Sequence, residues 1–157
     1  MVETKSLLPE ASKRYYTYGL HVNEERAIPC DIDGLKPVAR RALWVVRELR
    51  GYSNAKLQKT AVYVGRTMGS YHPHGDKAIA DTYTSLVNTP HQLLFGEGNW
   101  GALSDKSVAA MRYTLLKLTK LSEKVFFDSF YLPVTEEVPN YDGSNTEPLY
   151  LNALLPN

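Results

Sequence analysis

The string Ala109-Ala110-Met111-Arg112-Tyr113-Thr114 sets an arginine beside a tyrosine, behind two small residues and at the expected mouth of a helix. A tyrosine hydroxyl ordinarily titrates near about 10, so it is a poor nucleophile until something takes its proton or stabilises the phenolate. An adjacent guanidinium can do the second, and it can also grip a phosphate oxygen through paired hydrogen bonds. The chain has 11 tyrosines. Most tyrosines serve as amphipathic core or surface residues, so the pair alone leaves both readings open.

A second string, Tyr71-His72-Pro73-His74-Gly75-Asp76, places two imidazoles around a proline that keeps the backbone extended. A helix is expected to follow, with Asp76 as its N-cap. Histidine donors next to the free N–H groups of a helix N-terminus suit a phosphate. Zinc is a thin alternative without a third nearby ligand, and a capped turn around a buried histidine fits as well.

Two further strings fail. A calcium loop opened at Asp31-Ile32-Asp33-Gly34 would need glutamate at its twelfth position, where Ala42 stands. Its physical use is a turn that delivers Lys36 to the next helix. Phe95-Gly96-Glu97-Gly98-Asn99-Trp100-Gly101 is rich in glycine but lacks the lysine–serine or lysine–threonine ending of a phosphate loop. No strand–helix unit surrounds it, so no nucleotide site is read here.

The elements that must carry these strings follow from periodicity and punctuation. The chain has 157 residues, about one domain by length, with 43% hydrophobic residues, enough for a core. One cysteine, Cys30, excludes an internal disulfide framework and a zinc ribbon, and it fits a reducing, cytoplasmic compartment. No apolar run approaches a membrane span, and Met1 to Lys13 lacks the apolar core of a signal peptide.

A net charge of +1 hides an asymmetry. Residues 35–66 hold eight bases (Lys36, Arg40, Arg41, Arg47, Arg50, Lys56, Lys59, Arg66) against Glu48, and residues 121–150 hold six acids against Lys124. Such a block is either a nucleic-acid footprint or a solvated helical surface.

A first helix is expected from Pro9 to Glu25. Pro37 opens a second that runs to Arg50 and stops at Gly51, with Val38, Ala42, Val45 and Leu49 as its apolar stripe. Lys36, Arg40, Arg47 and Arg50 fall on the opposite side. A third, about Asn54 to Met68, buries Leu57, Ala61, Val64 and Met68 and sets Lys56, Lys59, Tyr63 and Arg66 on another face. Two such helices across a short turn fit a helix-turn-helix or an ordinary helical hairpin. Further helices are expected from Asp76 to Val87 and from Thr114 to Phe127, and the proline-punctuated tail after Tyr131 reads as extended segments and loops. The fold class is mainly α with minor β, which suits a winged helix.

The strings also occur together and in order. Glu25-Arg26-Ala27-Ile28-Pro29 comes first, then Asp33-Gly34-Leu35-Lys36-Pro37-Val38-Ala39-Arg40-Arg41 and the Tyr71–Asp76 string. Gly96-Glu97-Gly98-Asn99-Trp100-Gly101 and the Ala109–Thr114 string follow. In this order the chain resembles the N-terminal part of the DNA-cleaving A subunit of type IIA topoisomerases, the gyrase and topoisomerase IV family. Pro139-Asn140-Tyr141-Asp142-Gly143 and Leu155-Pro156-Asn157 extend the likeness, which covers roughly residues 15 to 157.

The resemblance implies a winged-helix DNA-gate domain of the catabolite-activator type over residues 26–131. An N-terminal arm (1–25) would precede it, and the start of a tower region (132–157) would follow. It makes Tyr113 the nucleophile that attacks a DNA phosphodiester and holds the 5′ phosphate, with Arg112 stabilising the pentavalent phosphorus. Arg26, Lys36 and Arg40 match the family's cleavage-site basic residues, and His72 and His74 match its active-site histidines. Lys36, Arg40, Arg41, Arg47 and Lys59 are the DNA-binding candidates. Double-stranded DNA is the substrate, and two copies pair through the gate. Magnesium and ATP are expected on a separate B subunit, with no metal held by this chain.

The sequence departs from the family at three places. Ala39 stands where gyrase usually has histidine. Lys77 stands where bacterial enzymes usually carry the serine that, with an acid matching Asp81, holds quinolones through a water–metal bridge. The family also continues for hundreds of residues past Asn157, so a fragment or a split-gene piece, phage-borne for instance, is the expectation. The alternative from another class is a non-catalytic DNA-binding or decoy module acting on a resident gyrase. Arg112 and Tyr113 favour the enzyme, since a decoy needs no nucleophile. A plain helix-turn-helix regulator leaves the His-Pro-His string unexplained.

Overall fold

The computed structural model describes residues 6–102 and 107–153. Met1–Lys5, Leu103 and the terminal Leu155-Pro156-Asn157 string lie outside the described residues. The described chain is mainly helical with two small sheets. No helix among the described residues is long and apolar enough to cross a membrane.

The architecture is organised around α2, Pro37–Glu48. Pro37 occupies the first helical turn, where its missing N–H costs nothing. Ala42, Leu43, Trp44, Val45 and Val46 are all buried, so this helix is enclosed on more than the single stripe expected. Arg50, not Gly51, ends it. Arg50 adopts a left-handed φ of 56°, its N–H reaches Arg47 O at 2.9 Å, and Gly51 N reaches Val46 O at 2.8 Å. That pairing is a Schellman closure. Gly51 serves a different need, because a Cβ there would lie 2.5 Å from the Tyr63 hydroxyl.

The expected helix from Asn54 is corrected. Residues 49–57 form turns, β1 spans Gln58–Lys59, and α3 spans Thr60–Ser70. Its buried stripe is Thr60, Tyr63, Val64, Thr67 and Ser70, while Met68 is exposed. Of the expected stripe only Val64 is fully buried, because the rest of the buried face carries hydroxyls, and the threonine hydroxyls among them find partners. Thr67 Oγ1 bonds Tyr63 O and the Tyr83 hydroxyl, both at 2.8 Å, and Thr114 Oγ1 bonds Thr60 Oγ1 at 2.8 Å.

Helix α4, Asp76–Asn88, buries Ile79, Tyr83 and Leu86, the apolar spacing of its sequence, together with Val87. Gly75 is its cap residue, and Asp76 is the first helical residue, its carboxylate accepting from Lys77 N. The helix pair joined by a short turn is therefore α3–α4, and the Tyr71–Gly75 segment is that turn.

The helix expected from Thr114 is half strand. β2 (Leu94–Glu97) and β3 (Leu115–Leu118) pair antiparallel, β1 joins the other edge of β3, and the order is β1-β3-β2. Leu116 and Leu118 alternate inward around Lys117, the period of a strand. Helix α5 (Lys120–Phe126) begins only after Thr119, whose hydroxyl caps it by accepting from Ser122 N.

Two flanking pieces complete the chain. Helix α1, Leu7–Val22, has no buried residue and starts two residues before Pro9, then continues as a π-turn over Asn23–Ala27. In the tail, β4 (Glu137–Pro139) and β5 (Thr146–Pro148) form a hairpin, and β5 packs back on α2.

Candidate functional site

The structure gathers the singled-out side chains into two groups. In the first, Met111–Tyr113 form a turn leading into β3, not the start of a helix. Tyr113 N donates to Ala110 O at 2.8 Å. Ala61 N donates to Met111 O at 3.2 Å and Thr60 N to Thr114 O at 3.0 Å, so carbonyls of this turn take the first free N–H groups of α3. The turn is thereby pinned at both ends.

The glycine-rich string packs behind the turn. Gly98 has φ of +109°, and a Cβ there would sit 3.4 Å from both Thr114 Cα and Tyr113 O. Buried Trp100 anchors the string, with its indole N–H on Glu97 O and its carbonyl accepting from Asn88 Nδ2. On this support Tyr113 stands 65% exposed, and the Arg112 guanidinium lies over its ring at 4.9 Å. Lys59, also exposed, pairs in register with Leu115, two residues along from the tyrosine.

The second group is built on the α3–α4 turn. His72 and His74 stack with ring centroids 4.3 Å apart. Arg26, carried on the π-turn, reaches His74 Nε2 at 2.8 Å, and Arg41 of α2 reaches His72 Nδ1 at 3.2 Å. Burial pushes the His72 pKa down to about 4, and the neighbouring His74, Arg41 and Arg26 push it the same way. At neutral pH the ring is uncharged.

Several basic candidates do not stand free. Arg40, expected on an outward basic face, is 7% exposed. It pairs with fully buried Asp33 through contacts of 2.6 and 3.0 Å. Asp33 also accepts from Leu35 N and from Leu151 N, both at 2.9 Å, and so ties the tail to the turn before α2. A buried arginine paired with its carboxylate does not project from an outward basic face, and that placement of Arg40 is corrected on this ground.

Arg41 is likewise partly buried and doubly bonded to Glu147. Arg47 is half-buried with its guanidinium 4.6 Å over Trp44, whereas Lys36 is exposed at the cap of α2. No hydrogen bond or ring contact joins the two groups among the described residues.

Sequence reasoning quoted Asn140 and Tyr141 only within the family likeness, with no role, and counted Glu147 only as one acid of the tail. Asn140 Nδ2 donates to Ser70 O at 2.5 Å, and the Tyr141 hydroxyl donates to Gly69 O at 3.0 Å. The acid-rich tail set against a base-rich block hints at internal pairing but does not name Arg41 as the partner of Glu147, and it says nothing of Asn140 or Tyr141.

Comparison with known proteins agrees on one family. The family described as the A subunit of DNA gyrase/topoisomerase IV matches residues 26–157. The DNA gyrase A subunit of Neisseria gonorrhoeae is 40% identical over 158 residues, covering 96% of this chain and 17% of the relative. The DNA topoisomerase 4 A subunit of Haemophilus influenzae is 40% identical over 159 residues, covering 99% of this chain and 21% of the relative. That of Escherichia coli K12 is 40% identical over 161 residues, covering 100% and 21%. The chain thus spans about a fifth of the length of these curated relatives. With five ordered motifs and a match from Arg26 onward, the chain belongs to the family of DNA gyrase and topoisomerase IV A subunits.

Proposed function

We propose that this chain is the DNA-cleaving and resealing part of a type IIA topoisomerase, with Tyr113 as its nucleophile. The observation that carries the reading is the exposed Tyr113 ring held beneath Arg112 on a turn bonded to the start of α3. The phenolic oxygen would bond to phosphorus while the 3′ oxygen leaves with its electron pair, and the phenolic proton passes to solvent. The phosphotyrosyl ester keeps the bond energy, so resealing is the same step reversed. Charge grows on the non-bridging oxygens, and Arg112 is a preplaced cation for it.

The order α2-β1-α3-α4-β2-β3 supports a winged helix, with α3–α4 as its helix-turn-helix and the β2–β3 connection as its wing. In this reading Arg26, His72 and His74 engage phosphate, Lys36 and Lys59 track the DNA backbone, and Arg41 and Arg47 support the site from within. Two copies form a DNA gate in the cytoplasm. Magnesium would be held by carboxylates of a partner subunit; among the described residues of this chain no three His, Cys, Asp or Glu side chains converge as a metal-binding group. The ion and ATP are assigned to a B-type partner.

The test assembles the chain with a B-type partner and the C-terminal remainder of its own subunit type. Tyr113→Phe is expected to abolish denaturant-resistant protein–DNA adducts while leaving binding nearly intact, because only a hydroxyl is lost. Arg112→Ala is expected to slow cleavage roughly 10²–10³-fold with a smaller effect on binding. The chain alone, mixed with supercoiled plasmid and magnesium, is expected to form no adduct. Adducts persisting in Tyr113→Phe would place the nucleophile elsewhere, and adducts from the chain alone would overturn the division of labour.

A further inference from the structure

Glu147 lies on β5, 7% exposed. Its carboxylate accepts from Arg41 Nε and Nη2, both at 2.7 Å, and the remaining Arg41 nitrogen, Nη1, meets His72 Nδ1 at 3.2 Å. A guanidinium has donors and no acceptor. Nδ1 of His72 must therefore be the unprotonated ring nitrogen, which leaves the proton on Nε2. The planar fork makes the direction of Nη1 a consequence of where the carboxylate holds the other two nitrogens.

The hairpin that carries Glu147 is itself fixed beside the histidine. Val138 pairs with Glu147 across β4–β5. Asn140 and Tyr141, at its turn, bond the carbonyls of Ser70 and Gly69, which immediately precede Tyr71-His72. One hairpin thus holds the backbone before His72 directly and its ring through Arg41.

We propose that Glu147 is a positioning residue for the cleavage site: its two bonds to Arg41 fix His72 as the neutral Nε2–H tautomer, a donor for a phosphate oxygen. The use made of that donor rests on the cleavage reading above, whereas the tautomer does not. The charged and titratable groups facing His72 are Arg41, Arg26 and stacked His74, with Glu147 behind Arg41. Burial first, then stacked His74 and the two guanidinium cations, favour the uncharged form of the ring, the direction of its pKa shift, and the Glu147 carboxylate opposes them only from behind Arg41.

The decisive measurement is nitrogen NMR of the 157-residue chain labelled in its histidine rings. There are four histidines, so the His72 signals are assigned by their loss in His72→Gln. The expected wild-type pattern is an unprotonated Nδ1 and a protonated Nε2. Glu147→Ala is expected to give a mixture of tautomers. Glu147→Gln, which keeps one acceptor for Arg41 and serves if the alanine variant fails to fold, is expected to fall between. In the assembled complex, adduct formation should slow about tenfold or more in Glu147→Ala, as for other residues that orient a reacting group at one remove, with DNA affinity little changed. A protonated Nδ1 in the wild type, or an unchanged tautomer in the folded variants, overturns the proposal. A wild-type complex that forms no adduct sinks the cleavage reading instead, and the tautomer result still decides the role of Glu147.

Discussion

Asp33→Asn tests whether Arg40 is scaffolding. Each Asp33 oxygen serves one Arg40 nitrogen and one backbone N–H: Oδ1 takes Arg40 Nη2 at 3.0 Å and Leu35 N at 2.9 Å, and Oδ2 takes Arg40 Nε at 2.6 Å and Leu151 N at 2.9 Å. Whichever atom becomes the amide nitrogen, one bond to arginine and one to backbone are replaced by facing donors. The Arg40 side chain is 8% exposed and Asp33 0%, so water cannot replace the lost acceptor. Breaking a buried pair from one side costs about 3–5 kcal/mol. At roughly 2–4 °C per kcal/mol for a domain of this size, the melting temperature should fall by roughly 6–20 °C.

Thermal and urea unfolding followed by circular dichroism measure the loss, and an unchanged urea slope certifies that stability alone has moved. Adding Arg40→Met to Asp33→Asn should cost little more, because the orphaned charge is gone. A loss below about 1 kcal/mol in Asp33→Asn would mean that water serves the Arg40 charge, and would return Arg40 to the DNA-facing set.

Two other perturbations separate surface charge from scaffold. Replacing exposed Lys36 and Lys59 together should flatten the slope of log DNA affinity against log salt by roughly two units, and an unchanged slope would make them solvated surface only. Lys77 is exposed in the first turn of α4, one turn before exposed Asp81. It lacks the hydroxyl acceptor of serine, and its ammonium repels a bridging metal. Low quinolone sensitivity of the assembled enzyme is expected, partly restored by Lys77→Ser, and potent trapping of cleavage complexes by the unmodified protein would refute this.

Motif order was legible in the sequence because backbone needs leave marks. Pro37 opens a helix, Gly98 takes a positive φ behind Tyr113, and the stripe of α4 is plainly apolar. Beyond Val64 the face of α3 was not legible, since its other buried positions carry hydroxyls, and those of Thr60 and Thr67 depend on partners such as Thr114 and Tyr83, distant in sequence. Leu115–Leu118 read as helix because four residues suit either period, and only pairing with β1 and β2 decides. Glu147 was illegible for the same reason: its meaning lies in Arg41, 106 positions away.

The arginines divide according to what holds them, and that division bears on function. Arg40, Arg41 and Arg66 lie in the forks of Asp33, Glu147 and Glu48, each bound to a carboxylate. Arg47 and Arg112 rest instead on aromatic faces, those of Trp44 and Tyr113, and Arg26 hydrogen-bonds His74 Nε2. A ring fixes the direction of a guanidinium without cancelling its charge. Lys36, Lys56 and Lys59 are all exposed, as suits strongly hydrated ammonium groups. An anion approaching Tyr113 or His74 therefore meets arginines that are already oriented and still fully charged. Arranging that before the substrate arrives is what electrostatic stabilisation of a phosphoryl transition state requires.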